Sequence, residues 1–405
     1  MPKIICLNVL LYGEPIGILT FLPGEQTIFS FNESYIDNLA RPVLSLSFKD
    51  HLGGLLTDIR PAKVQLPPFF SNLLPEGYLR DYLAERAGVN AKREFFLLGA
   101  LGRDLPGALT VESSDGKTWP SETEENKNES PPKNALRFSL AGVQIKFSAV
   151  MGAKKGLTIP AEGVGGSWIV KLPSTRFAHV PENEYSMMTL AKNIGMDIPE
   201  IQLVDPKKIV GLPSNIDKIE GQALAVRRFD RTDQGPIHME DFAQVFGIYP
   251  DDKYHKGSYK NIAEVLWKET GPEGIAELIR RLVFNTLIGN ADMHLKNFSL
   301  LYPDRRNAKL SPGYDFVSTI SYIGDENMAL NFVKSKRMAE LSLEQLSYFA
   351  AKAGLPEKLV LDTAKETVQR LREAWKKERK HLPLPTDFIR GIEKNIARIA
   401  LAGEV

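Results

Sequence analysis

Cysteine is almost missing from this chain: Cys6 is the only one in 405 residues. No intrachain disulfide can form, and neither a thiolate metal cluster nor a cysteine-pair redox centre is available. Histidine is sparse too, and its six copies are scattered without a paired metal-ligating motif. No apolar run approaches the roughly 18 residues of a membrane span; the longest candidates, such as 282–288, are broken by charge within a few positions. Net charge is only +1. That gives no global field to hold nucleic acid, so any DNA contact would need a local patch or a basic partner. Neither a full G-x-G-x-x-G nor a Walker phosphate loop occurs, and no repeat of fixed period is evident.

What is present is ordinary for a soluble globular protein, 43% hydrophobic and 25% charged residues, with length for two or three domains. The lone cysteine suits a reducing compartment. The apolar run after Lys3 is interrupted by Asn8, Tyr12, Gly13 and Glu14 with no small-residue cleavage pattern behind it, so it reads as a first strand, not a targeting segment. Turn residues at Gly13-Glu14-Pro15 and Pro23-Gly24-Glu25 predict a small antiparallel meander over 3–31. Helical spacing follows at 76–87, stopped by Gly88, and at 91–100.

The stretch 116–133 contains SETEENKNESPPK, acidic and polar with two prolines and no aliphatic residue; it reads as a linker or exposed loop. Beyond it, strands are predicted at about 136–150, 167–173, 200–204 and 222–228, with a helix over 182–194 closed by Gly195. The remainder reads as mostly helical: 239–247, 258–269, 274–288, 343–353, 357–380 and 387–401. The expected division is 1–112, a linker 113–135, a β-rich lobe 136–232 and a helical lobe 233–405. Two such lobes would enclose a cleft.

Polar chemistry concentrates in LIGNADMHLKNFSLLY, 287–302, where an apolar run breaks at Gly289-Asn290 and resumes at Phe298. Asp292 can orient a hydroxyl and accept its proton, and the amide of Asn297 can ligate a metal. Lys296 could neutralise charge on a moving phosphoryl group. A polar helix-to-strand loop would look the same. Asp315, set between Tyr314 and Phe316, is placed to hold Mg²⁺ against phosphates, or to cap the turn at Ser318-Thr319. Lys171, in the apolar strand SWIVKLP, needs an anion if it is buried, and none if it lies on a solvent-facing edge. Glu184, thirteen residues on, is a candidate partner or simply an acid favoured in a helix's first turn. In FSLAGVQIK, amides at Ala141 and Gly142 could approach phosphates, flanked by Ser139 and Lys146; a plain hairpin would also fit. ALAVRRFDR, 223–231, could supply an interlobe hinge through Arg227 to Phe229.

Taken in order, FSLAGVQIK, WIVKLP, ENEY with LAKNIG, LAVRRFDR, MEDFAQVFG, IGNADMHLKNFSL and LSPGYDF resemble the HipA family, serine/threonine kinases of bacterial toxin–antitoxin systems. The likeness extends to the N-terminal meander and FFSNLLPEG, 69–77. It implies an α+β, two-lobed protein-kinase-like fold related to the phosphoinositide kinases, with an N-terminal β-rich subdomain and a mostly helical C-terminal lobe. By the same resemblance Asp292 is the catalytic base, Asn297 and Asp315 are Mg²⁺ ligands, Lys171 contacts phosphate, and Arg227 to Phe229 form the adenine hinge. Gln244 would line the ATP site, and Ser139 would be the autophosphorylated serine whose modification switches the kinase off by charge on the phosphate loop. A HipB-like helix-turn-helix antitoxin, operator DNA bound mainly through it, a cytosolic aminoacyl-tRNA synthetase as substrate and a bacterial cytoplasmic location without membrane association are implied too. Arg227 departs from the acidic residue familiar at the hinge. A small-molecule kinase on the same fold, or a nucleotide-binding corepressor scaffold for the antitoxin, are the other functions the residues allow.

Overall fold

Alternating apolar residues in Ile5–Leu11, Glu14–Leu22 and Gln26–Phe31 need one shared buried face, and an antiparallel meander provides it. Leu7, Val9, Leu11 and Leu19 are buried on that face. Leu109–Ser113 pairs with the first strand and Ala62–Lys63 with the third, completing a sheet of five described strands. Phe29, Phe31, Phe48, Phe69 and Phe70 pack on it, with Phe29 and Phe70 centroids 4.8 Å apart. The computed structural model describes residues 5–114, 146–152, 157–159, 166–174, 176–212, 220–324 and 326–405. The acidic stretch 116–133 and the loop carrying Ser139, Ala141 and Gly142 lie outside the described residues.

A second antiparallel sheet runs in the spatial order Leu157–Thr158, Lys146–Met151, Trp168–Lys171, Ala223–Arg227, Ile201–Val204. The helix Val180–Asn193 carries Met187, Met188, Leu190 and Ala191 on a face that joins Leu224 and Val226 in one apolar core. That core continues into the helical lobe, built around Tyr259–Ile288, Leu343–Ala353, Glu357–Glu378 and Thr386–Arg398. The expected helices 258–269 and 274–288 form one element, kinked where Gly271 takes φ 64°, ψ −152° ahead of Pro272. The expected 387–401 helix breaks at Ile399 into Thr386–Arg398 and Ala400–Glu404.

One element is corrected outright. The helix expected over 239–247 is a strand, His238–Asp241, followed by a single helical turn, Phe242–Val245. The strand pairs with Ser299–Tyr302, which in turn pairs with Lys309–Leu310. Pairing partners sixty residues away overrode the local helical pattern.

The N-terminal sheet docks on this small sheet. The Tyr12 hydroxyl accepts from His238 N (3.1 Å) and donates to Tyr302 O (3.3 Å). The buried carboxylate of Glu240 accepts from Leu46 N (3.0 Å), the Tyr302 hydroxyl (2.5 Å) and the Ser45 hydroxyl. Burial pushes Glu240 up from 4.5 to about 7, against the pull of those donors. Burial likewise pushes His238 down from 6.5 to about 4. Glu240 keeps its proton to higher pH when folded, so its contribution to stability is full below 4.5 and is lost as pH rises through about 7. His238 contributes above 6.5 and loses that contribution as pH falls through about 4, so the two slopes oppose each other across most of this range. Glu240→Gln removes one of them. Apart from a constant offset, the variant should gain about 3 kcal/mol relative to wild type between pH 4.5 and 7. Urea unfolding at several pH values measures this; a pH-independent difference would show that the carboxyl is not the titrating group.

Candidate active site

The helix Tyr259–Ile288 stops at Gly289, whose φ of 72° suits glycine and where any Cβ would lie 2.9 Å from Ile320 Cβ. The Gly289 carbonyl then accepts from Thr319 N (3.0 Å) and Ile320 N (3.1 Å). Asn290 is buried, donates to Asn285 Oδ1 (2.7 Å) and accepts from Asp292 N (2.9 Å). The Asp292 carbonyl accepts from His294 N (2.9 Å) and Asn297 Nδ2 (2.6 Å). Backbone and amide groups therefore fix the loop, and the Asp292 carboxylate is left for other work. Its one described hydrogen bond comes from the Tyr254 hydroxyl. With Nδ2 so engaged, Oδ1 is the atom of Asn297 left to ligate a cation.

Facing this loop is a strand lysine. Lys171 is 5% exposed and directly opposite Lys146 on the neighbouring strand. Like charges across a ladder repel, and two carboxylates relieve them. Lys171 Nζ forms ion pairs with Glu184 and Asp315, and Lys146 Nζ lies 3.6 Å from the second Asp315 oxygen. Burial alone would lower Lys171, but Asp315 and Glu184 outweigh it and hold the ammonium above its ordinary value. Burial would raise Asp315, yet Lys146 and Lys171 hold its carboxyl far below the usual carboxylate range. For Glu184 burial prevails over Lys171 and its carboxyl is raised. Asp315 also adopts φ 56°, a left-handed backbone unusual outside glycine, and such strain gathers at functional sites.

Lys171, Glu184, Asp292, Asn297 and Asp315 line one cleft of about 1780 Å³ between the lobes, joined by Arg227 and Phe229 at its edge. Arg227 is exposed, with Glu200 Oε2 3.6 Å away, and its N–H donates to Glu200 O (2.8 Å). The Phe229 ring packs on Tyr314, centroids 5.6 Å apart.

Two residues sit differently from expectation. The ammonium of Lys296 donates to Asn72 O (2.9 Å), Asn72 Oδ1 (3.0 Å) and Asp241 Oδ2 (2.9 Å). All three of its protons are engaged, so it ties the loop to the N-terminal unit at the wall of the cleft, which it lines together with Asn72 and Asp241. Gln244 borders the cleft, but its amide closes a capping box with Asp241 and donates to Phe69 O (3.0 Å). His294 is buried, which pushes its ring down to about 3 and keeps it neutral.

Sequence reasoning gave no role to Tyr254, or to a buried ionic cluster under the hinge. In that cluster Arg228 reaches Asp230 (2.8 Å) and Asp104 (2.8 Å), and Arg231 reaches the same two acids. Asp230 further accepts from Gly107 N (2.8 Å), so the loop 104–107 of the N-terminal unit is fastened to the chain just past Arg227.

Among the described residues no three His, Cys, Asp or Glu side chains are placed to hold a metal by themselves. One ionised carboxylate and one amide oxygen do suit Mg²⁺, which takes few protein ligands and completes its shell with substrate phosphates and water.

The family model described as HipA-like C-terminal domain matches residues 138–375, and that described as HipA N-terminal domain matches 7–112. The chain is 58% identical over 407 residues to the putative kinase Y4dM of Sinorhizobium fredii, covering 100% of this chain and 99% of that protein. It is 26% identical over 355 residues to the serine/threonine-protein kinase toxin HipA of Shewanella oneidensis, covering 76% of each. In fold it is similar to a chain of the Shewanella oneidensis MR-1 HipA, HipB and operator DNA complex, with a TM-score of 0.74 and 24% identity over 97% of this chain and 95% of that one. The shared architecture is the two-lobed, kinase-like α+β fold.

Proposed function

Because the chain belongs to the HipA family, we propose that it is the kinase toxin of a toxin–antitoxin pair, transferring phosphate from ATP to serine or threonine of a protein. One observation carries the reading: the buried pair Lys171 and Glu184, with Asp315 as the second acid on the lysine, sits in the same cleft as Asp292 and Asn297. An isolated solvated loop or a plain helix cap has no need of a buried lysine held by two acids.

In this reading Asp292 orients the acceptor hydroxyl and takes its proton as the oxygen attacks the γ-phosphorus, while the bond from that phosphorus to the bridging oxygen breaks and ADP leaves. Lys171 binds the phosphates, with Glu184 fixing its direction. Asn297 and Asp315 would hold Mg²⁺, which when bound neutralises charge between phosphates. The backbone from Arg227 to Phe229 receives the adenine, and Gln244 lines the same ATP site. Residues 1–112, 136–232 and 233–405 act as N-terminal subdomain, β-rich lobe and helical lobe about the linker 113–135.

The toxin HipA relative and the complex containing HipB and operator DNA support a helix-turn-helix antitoxin as partner, with DNA held mainly by that partner. We extend this to a cytoplasmic protein substrate, an aminoacyl-tRNA synthetase, and to self-inhibition by phosphorylation of Ser139. No helix among the described residues is long and apolar enough to cross a membrane.

Mass spectrometry of wild type and Asp315→Ala after incubation with ATP and Mg²⁺ tests the reading. Phosphate is expected on Ser139 in wild type and on no residue of the variant. A wild-type chain that transfers phosphate neither to itself nor to any added protein would overturn the kinase assignment.

A further inference from the structure

The segment 249–257 links the turn Phe242–Val245 to the long helix and contributes Lys253 and Tyr254 to the cleft lining. It is an ordered piece of chain. Asp252 O accepts from His255 N (2.9 Å) and Lys256 N (3.0 Å), and Ser258 caps the following helix at Asn261 N (3.2 Å). Lys253 Nζ lies 2.5 Å from Glu76 Oε2 and so tethers the segment to the N-terminal unit. Held this way, the Tyr254 ring meets the His294 ring edge-on, centroids 4.8 Å apart, and its hydroxyl donates to Asp292 Oδ1.

A hydroxyl that is to be phosphorylated must make that same contact, O–H to the Asp292 carboxylate, so that it is aimed at phosphorus and can hand over its proton. We propose that the Tyr254 hydroxyl occupies the acceptor position at Asp292 and that substrate must displace it, so that Tyr254 acts as a built-in brake on phosphoryl transfer. The inference rests on Asp292 being the base. The brake's strength is set by the hydrogen bond and by the Lys253–Glu76 tether, which limits how far the ring can swing from His294.

The test is transfer from ATP, with Mg²⁺, to dephosphorylated casein and to water, using the full chain. Tyr254→Phe keeps the ring contact and loses only the hydroxyl. Its rate at sub-saturating casein should rise roughly ten-fold, the value of one hydrogen bond to a charged acceptor. The casein KM should fall and the ATP KM stay unchanged, a split that a merely structural tyrosine would not produce. Lys253→Met, which loosens the tether and leaves the hydroxyl in place, should rise by a smaller factor and serves if the first variant does not fold. A folded Tyr254→Phe or Lys253→Met protein with unchanged or lowered transfer overturns the brake. Full activity in Asp292→Asn would instead overturn the base on which it rests, whatever the tyrosine variants do.

Discussion

Asp292→Asn is expected to slow phosphoryl transfer by about 10²- to 10⁴-fold, the usual worth of a positioned general base, while leaving the protein folded. The fold should tolerate the change because the loop does not depend on this carboxylate. Asp292 takes part in loop architecture through its N–H, held by Asn290, and its carbonyl, held by His294 N and Asn297 Nδ2. Asparagine preserves all three contacts and the side-chain shape, and removes the proton acceptor. The carboxylate opens onto the cleft while protein crowds it elsewhere, and burial raises its carboxyl, against the Tyr254 hydroxyl and with the Asp315 charge adding to the rise. Wild-type activity should therefore appear as pH climbs through a value above an ordinary aspartate's 3.8, since the base must be ionised to accept a proton. The variant should lose that acid limb together with the rate. Single-turnover transfer from ATP against pH, with melting temperature as the control for folding, measures both. Full-rate transfer by the variant would remove Asp292 from the mechanism.

Residues stood out in the sequence wherever polarity was locally out of place. A lysine inside SWIVKLP, a carboxylate between two aromatics and a polar break between apolar runs are each anomalies that a short window reveals. The same local logic found the meander and most helices, because their periods are written in adjacent residues. It failed where the deciding partner is distant. His238–Asp241 is a strand because Ser299–Tyr302 lies beside it. Lys171 and Glu184 are thirteen residues apart in a strand–helix unit, but the contact of Lys171 with Asp315 spans 144 residues. Arg228 joins Asp104 across 124 residues, and Tyr254 joins Asp292 across 38. In DDKYHKG nothing marks the tyrosine, since charged and aromatic residues there are equally at home in a solvated loop. Lys296 shows the same limit from the other side: its position beside Asn297 suggested the cleft, which it does line, but its partners Asn72 and Asp241 are brought in by tertiary packing and could not be read from the window.

Lys171→Met should destabilise the fold by about 3–5 kcal/mol, the range for removing one partner of a buried ion pair. Methionine matches the lysine stem in length, so packing is kept and the loss is electrostatic. The two acids are affected unequally. Asp315 retains Lys146 at 3.6 Å, whereas the Glu184 side chain, 1% exposed, loses its one ion-pair partner among the described residues. Burial already raises the Glu184 carboxyl, and without the ammonium it must rise further. A group raised in the folded state contributes fully below its unfolded value, near 4.5 here, and that contribution is lost as pH climbs through the folded value. The deficit of the variant should therefore grow as pH climbs above 4.5. Glu184→Gln added to Lys171→Met removes the stranded charge and should restore most of the stability, giving a large coupling in the double-mutant cycle. It should not restore phosphoryl transfer, because the phosphate-binding ammonium is still missing. Urea denaturation of the four proteins at low and high pH, alongside ATP turnover, separates the two effects. A deficit that ignores pH, or a double variant no more stable than Lys171→Met, would mean that the lysine supports the sheet by packing and not by answering Glu184.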